Sequence, residues 1–203
     1  MELTTPVIGI LRGISADFFG PLMDAAFQGG LQAIEVTLNT PQAETMIAAQ
    51  RPRVPRGRWL GMGTVCNLEM AKRAVDAGAM FLVTPNTDEK VIDFAVERNI
   101  PIVAGAFTPT EVYAAWAGGA DMIKVFPCTQ MGPAYIRDLL GPFDKVPLVA
   151  VGGVTRENVG AYLQAGARAV GVGTSLFGSQ AIARKRPKDI VINVKSFLEY
   201  AHK

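Results

Sequence analysis

Short apolar runs recur along the chain, each followed by a helix-like segment. They are VIGILRG (7–13), AIEVTLN (33–39), WLGMGTV (59–65), FLVTPN (81–86), PIVAGA (101–106), MIKVFP (122–127), PLVAVGG (147–153) and AVGVGTS (169–175). The runs are continuous rather than alternating, and turn residues bound them. That pattern predicts strands buried on both faces of a parallel sheet. Helix starts are marked by a capping residue ahead of acidic first-turn residues: Asn67, Thr87 and Thr108, with Pro109 where the first helical position is expected. The pieces GGLQAIEV, AGAMFLV, GGADMIKV and AGARAVGV each stop a helix on glycine and enter a strand soon after. Such βα units close most naturally into a (β/α)8 TIM barrel, here a single α/β domain over residues 1–203. An open doubly wound sheet is the alternative, but it would usually carry a GxGxxG turn after the first strand, and none is there.

Composition narrows the function classes. Of 203 residues 49% are hydrophobic and 19% charged, so a sizeable core is expected. Twenty basic and 18 acidic residues leave a net charge of +2, which argues against a nucleic-acid binder. The densest basic stretch, Arg184 to Lys188, reads as a solvated turn before the last helix. No apolar run approaches a membrane span, no signal peptide is evident, and Cys66 and Cys128 form no CxxC pair. A soluble, cytoplasmic protein that engages neither membrane nor nucleic acid is expected. Only one histidine is present, His202. Zinc chemistry on imidazole ligands and Ser-His-Asp or Cys-His machinery are therefore excluded.

Barrel enzymes carry their chemistry at the C-terminal strand ends. Lys124 lies inside an apolar strand, whereas the other lysines fall on polar helix faces, in loops or at the terminus. Burial disfavours an ammonium, and a free amine there can form an imine with a carbonyl substrate. The plainer reading is a structural ion pair. Glu35, inside AIEVTLN, is the second anomaly. It shares a strand face with Ala33, Thr37 and Asn39, and would either shuttle protons beside Lys124 or form a structural salt bridge with it. Arg12 ends the first strand, where its guanidinium suits a carboxylate. Thr64 can add a hydroxyl there, or serve only in packing. The glycine loops after the seventh and eighth runs, with Gly152, Gly153, Gly173 and Thr174, stand where such barrels frequently bind phosphate. Cys128 reads as a small packing thiol.

Taken in order, ILRG (10–13), IEVTLN (34–39), GMGTV (61–65), VTPN (83–86), IKVFP (123–127) and VGGV (151–154) resemble the KDPG/KHG aldolases over essentially the whole chain. The resemblance implies a class I aldolase needing no metal or cofactor. It would be a homotrimer that cleaves 2-keto-3-deoxy-6-phospho sugar acids to pyruvate and D-glyceraldehyde 3-phosphate. It implies Lys124 as the Schiff-base lysine, Glu35 as the proton-transfer group, and Arg12 with Thr64 as the carboxylate site. Asn39, Pro85, Phe126 and Val151 would line the pocket, and Gly152, Gly153, Gly173 and Thr174 would hold the phosphate. Two departures from the gluconate-type pattern, Asn39 in place of arginine and Ala150-Val151 in place of Pro-Thr, are similar to the galactonate-specific branch, as is GPAYI (132–136). Two other readings stay open: a phospho-sugar isomerase or epimerase on the same barrel, and a non-catalytic phospho-ligand sensor.

Overall fold

The computed structural model describes residues 1 and 3–201, so the lone histidine, His202, lies outside the described residues. Eight parallel strands close into a barrel in sequence order: β1 (Val7–Leu11), β2 (Ala33–Thr37), β3 (Trp59–Gly63), β4 (Leu82–Val83), β5 (Ile102–Ala106), β6 (Met122–Val125), β7 (Leu148–Val151) and β8 (Ala169–Val172). Pairing of β1 with both β2 and β8 completes the ring. Helices alternate with the strands: α1 (Ala16–Gln28), α2 (Ala43–Gln50), α3 (Leu68–Asp76), α4 (Glu89–Glu97), α5 (Pro109–Ala117), α6 (Gly132–Leu140) and α7 (Val159–Gln164). After β8 come the short α8 (Thr174–Phe177) and α9 (Ser179–Ala183), then α10 (Pro187–Ala201). No described helix is long and apolar enough to cross a membrane.

The continuous apolar runs have two burial partners, as both-face burial requires. Outward strand residues such as Ile34, Val36, Leu60, Ile123 and Val170 pack under the helices, while Ile8, Ala33, Phe81, Val83, Val103, Met122, Val149 and Ala169 fill the barrel interior. Large and small inward residues alternate between strands, which fills most of the interior. A Cβ at Gly61 would stand 2.5 Å from the Phe81 ring, and one at Gly171 would stand 2.7 Å from Val151.

Each repeated glycine piece closes its helix the same way. Gly30, Gly78, Gly119 and Gly166 all take positive φ. The following amide then reaches back to a carbonyl five residues earlier, as in Leu31 N–H to Ala26 O and Ala120 N–H to Ala115 O. This is the Schellman closure that glycine permits. Asn67 caps α3, and Thr108 with Glu111 forms a capping box on α5.

Three expectations change. Thr87 does not cap α4. Asp88 does, accepting from Val91 N–H, while the Thr87 hydroxyl donates to Gly105 O at 2.7 Å. The fourth run yields only a two-residue strand, because the Thr84 side chain instead accepts the Gly105 amide at 2.8 Å and Pro85 has no N–H to continue a ladder. The basic stretch is an exposed turn only as far as Arg186, since Pro187 and Lys188 begin α10.

Candidate active site

Lys124 reaches the barrel interior from β6, where Met122 and Lys124 face in while Ile123 and Val125 face out to the helices. It is only 6% exposed. Its Nζ stands 4.9 Å from the Phe126 ring centroid. Desolvation by these apolar neighbours pushes its amine below the usual lysine value. Arg12 acts in the same direction, and Glu35 and Cys66 oppose it. Burial likewise raises the Glu35 carboxyl above its usual range, against the pull of Lys124 and Arg12. Both shifts favour uncharged forms, and a neutral amine beside a protonatable carboxyl suits imine chemistry.

Glu35 is 1% exposed, and its Oε2 has no hydrogen-bond partner among the described residues. Lys124 and Glu35 line one cavity with Ile8, Ile10, Val83, Val103, Val149, Val151 and Gly171, yet no ion pair joins them. The structural salt bridge weighed for this pair is therefore not formed. The enclosed space is about 10 Å³, the volume of about one water, so any larger ligand must sit above it at the strand ends. Room for the Glu35 carboxyl comes from Gly63, where a Cβ would lie 2.6 Å from its Cδ.

The β1, β2 and β3 ends form a connected polar rim. Arg12 Nη1 donates to Asn39 Oδ1 at 3.1 Å and Arg12 Nη2 to Thr64 Oγ1 at 3.3 Å. Thr64 holds φ +59°, a left-handed conformation that costs a β-branched residue about 1–3 kcal/mol. Such strain persists where surrounding structure enforces it, and it is typical of functional sites. Pro85 follows β4, and its segment crosses directly over Gly105, where a Cβ would lie 2.4 Å from the Pro85 carbonyl carbon. Phe126, 37% exposed, follows β6.

The two glycine loops also meet at this end. Gly152 and Gly153 take φ of +102° and +69° and lie against Thr129. The Ser175 hydroxyl donates to Val154 O at 3.2 Å, tying the β8 loop to the β7 loop. Asn158 spans the β7 loop, accepting from Thr155 N–H and donating to Gly153 O. Among the described residues, the amides of Gly152, Gly153 and Gly173 donate to no protein acceptor. The positive φ of Gly152 and Gly153, with the free amide of Gly173 at the start of α8, forms the kind of backbone concavity that accepts anions.

The candidate site residues thus gather toward the C-terminal strand ends, with Lys124 and Glu35 pointing into the barrel beneath them. Sequence reasoning gave no role to Thr37, which it placed on the Glu35 face, and missed Thr40, Ser175 and Asn158. Hydroxyls and amides just past strand ends are the only signal these leave, and that signal is shared by ordinary caps and turns. Cys128 is fully buried and donates to Val125 O, as a packing thiol would.

Comparison with known proteins gives a consistent picture. The family model described as KDPG and KHG aldolase matches residues 3–192. The 2-dehydro-3-deoxy-6-phosphogalactonate aldolase of Escherichia coli (strain K12) is 34% identical over 196 residues, covering 96% of this chain and 95% of that protein. A solved structure described as native KDPGal superposes with a TM-score of 0.89 at 32% identity, covering 100% of this chain and 99% of its own. The KDPG aldolase of Legionella pneumophila, solved with pyruvate captured as a covalent carbinolamine intermediate, gives a TM-score of 0.84 at 25% identity, covering 94% and 93%.

Proposed function

Because this chain belongs to the KDPG and KHG aldolase family, we propose that it is a class I aldolase whose Schiff-base lysine is Lys124. It cleaves 2-keto-3-deoxy-6-phosphogluconate or its galactonate epimer to pyruvate and D-glyceraldehyde 3-phosphate. The observation that carries this reading is an amine with no ion-pair partner and a carboxyl with an unpartnered oxygen facing the same enclosed cavity.

The Lys124 lone pair attacks the substrate C2 carbonyl carbon, and the oxygen takes a proton to give a carbinolamine. Glu35, whose affinity for a proton burial raises, protonates the departing hydroxyl, and water leaves to give an iminium. Glu35, now a carboxylate, takes the C4 hydroxyl proton directly or through water, and the C3–C4 bond breaks with its electron pair flowing through C3 and C2 to the iminium nitrogen. Glyceraldehyde 3-phosphate departs. The enamine is protonated at C3, and water hydrolyses the iminium to free pyruvate and restore the amine. Arg12 and Thr64 hold the carboxylate, Asn39, Pro85, Phe126 and Val151 shape the pocket, and Gly152, Gly153, Gly173 and Thr174 hold the phosphate.

The galactonate epimer is the better substrate in this reading. Val151 supplies no hydroxyl where a polar group would read a substrate OH, and Asn39 is engaged by Arg12. The enzyme works in the cytoplasm as a homotrimer. Exposed aromatic side chains on α5, Tyr113 with Trp116, the former stacked on the partly buried Phe143, are of the kind that subunit interfaces bury. Light scattering should give about three times the 21.7 kDa chain mass.

Borohydride reduction in the presence of pyruvate tests the chemistry. A covalent adduct on the peptide carrying Lys124 is expected. Unmodified protein, or an adduct on a different lysine, would overturn the assignment.

A further inference from the structure

Arg12 projects from the turn that follows β1, and its position depends on how that turn is held. The next residue, Gly13, has φ +66°, and a Cβ built there would meet nothing within 4 Å. Leu11 and Ile14 on either side are buried in the core, but no packing at Gly13 itself fixes the turn between them. What holds it is one hydrogen bond: Gly13 N–H donates to Thr40 Oγ1 at 2.9 Å. Thr40 is 2% exposed and Thr37, behind it, 0%. Their hydroxyl oxygens are 2.9 Å apart, so one donates to the other. The Thr40 amide also donates to Thr37 O at 2.8 Å, which locks the β2 turn that carries the hydroxyl. The residue between them and the guanidinium is Asn39, which accepts from Arg12 Nη1. One dipeptide, Asn39-Thr40, thus grips both the backbone beside Arg12 and its head group.

We propose that Thr40, backed by Thr37, is a positioning residue for the substrate carboxylate: its hydroxyl fixes the β1 turn so that Arg12 meets the carboxylate above Lys124. The inference rests on the aldolase reading and adds a group that touches no substrate. Without the Thr40 oxygen, the Gly13 amide is left unpaired and the turn is free to sample other glycine conformations. Carboxylate binding then weakens, while the amine, held separately by β6, keeps its reactivity.

The test compares two ketones in borohydride trapping: pyruvate, which carries the carboxylate, and hydroxyacetone, which lacks it. Thr40→Val replaces the acceptor with a methyl group of similar shape, and Thr40→Ser keeps the hydroxyl. Thr40→Val should raise the half-saturating pyruvate concentration about tenfold, as loss of one hydrogen bond to a partly buried amide predicts. Trapping by hydroxyacetone should change by no more than about twofold, since uniform binding and chemistry separate in this way. Thr40→Ser should restore most of the pyruvate affinity. Thr40→Ala, which removes the oxygen without adding a branched methyl in its place, should move pyruvate alone in the same direction and decides the matter if the valine variant does not fold. Unchanged pyruvate saturation in Thr40→Val or in Thr40→Ala, or an equal loss with both ketones, would overturn the inference. If the unaltered protein is not trapped by pyruvate at all, the aldolase reading itself fails and takes this inference with it.

Discussion

Gly63→Ala separates the position of the Glu35 carboxyl from its presence. The new methyl carbon would stand 2.6 Å from the Glu35 Cδ and Oε1. Non-bonded carbons rest about 3.5–4.0 Å apart, so the carboxyl must withdraw by about 1 Å. A displacement of that size from a productive geometry costs about 100-fold in rate. Stability should fall little, because what moves is the end of a side chain that has no hydrogen bond to lose on Oε2. Gly61→Ala is the matched control. Its Cβ would stand 2.5–2.6 Å from three atoms of the fully buried Phe81 ring, which cannot swing aside. Overpacking of this kind costs about 1–3 kcal/mol, or about 2–4 °C in melting temperature for each kcal/mol. The assay is pyruvate release from 2-keto-3-deoxy-6-phosphogalactonate coupled to lactate dehydrogenase, with thermal melts on both proteins. The expected pattern is a double dissociation: kcat collapses in Gly63→Ala while Gly61→Ala loses stability but keeps most of its kcat. A folded Gly63→Ala protein with kcat within about threefold of normal would refute the reasoning, since a 1 Å shift of a proton-transfer group cannot be that cheap.

Other outcomes follow from the same site. Lys124→Met should abolish pyruvate trapping and raise the melting temperature. Burial depresses the lysine pKa, so below the folded value a buried ammonium is strained, and up to the ordinary value of 10.5 the unfolded chain binds the extra proton. The variant's advantage should therefore be largest at neutral and lower pH and shrink toward 10.5; an advantage that grows with pH would contradict the burial argument. For the same reason kcat/KM should rise with pH through the lowered lysine pKa. Thr64→Gly relieves a left-handed threonine, so its melting temperature should hold or rise, whereas KM rises about tenfold as a ligand hydroxyl is lost. A fall in melting temperature would show that the threonine is not strained. Asp88→Ala should cost about 1 kcal/mol as a lost helix cap; a urea melt in which it costs nothing would refute the reassigned cap.

The barrel could be read from the chain because its determinants are local. Both-face burial makes each strand a continuous apolar run, and a glycine at positive φ is the common chemistry of a short return loop. Both leave marks within a few residues. Lys124 and Glu35 were equally visible, since a charged residue inside an apolar strand has no packing reason to be there. Local signals failed where two elements compete for one group. At Thr87 the sequence shows two adjacent capping residues, and only the fold brings Gly105 O within reach of the first, leaving Asp88 to cap. The fourth strand was overestimated for a related reason: the Thr84 hydroxyl, not the backbone, takes the Gly105 amide.

What the sequence by itself determined was the strand and helix order, the closure they favour, and the two residues whose chemistry is out of place. Only the tertiary structure decided that Lys124 and Glu35 share a cavity without pairing, and that Gly63 vacates the space for the carboxyl. It also decided that Thr40 holds the turn bearing Arg12. The reason is physical: desolvation and hydrogen bonding depend on what the closed barrel places around a group, and those neighbours come from strands far apart in the chain.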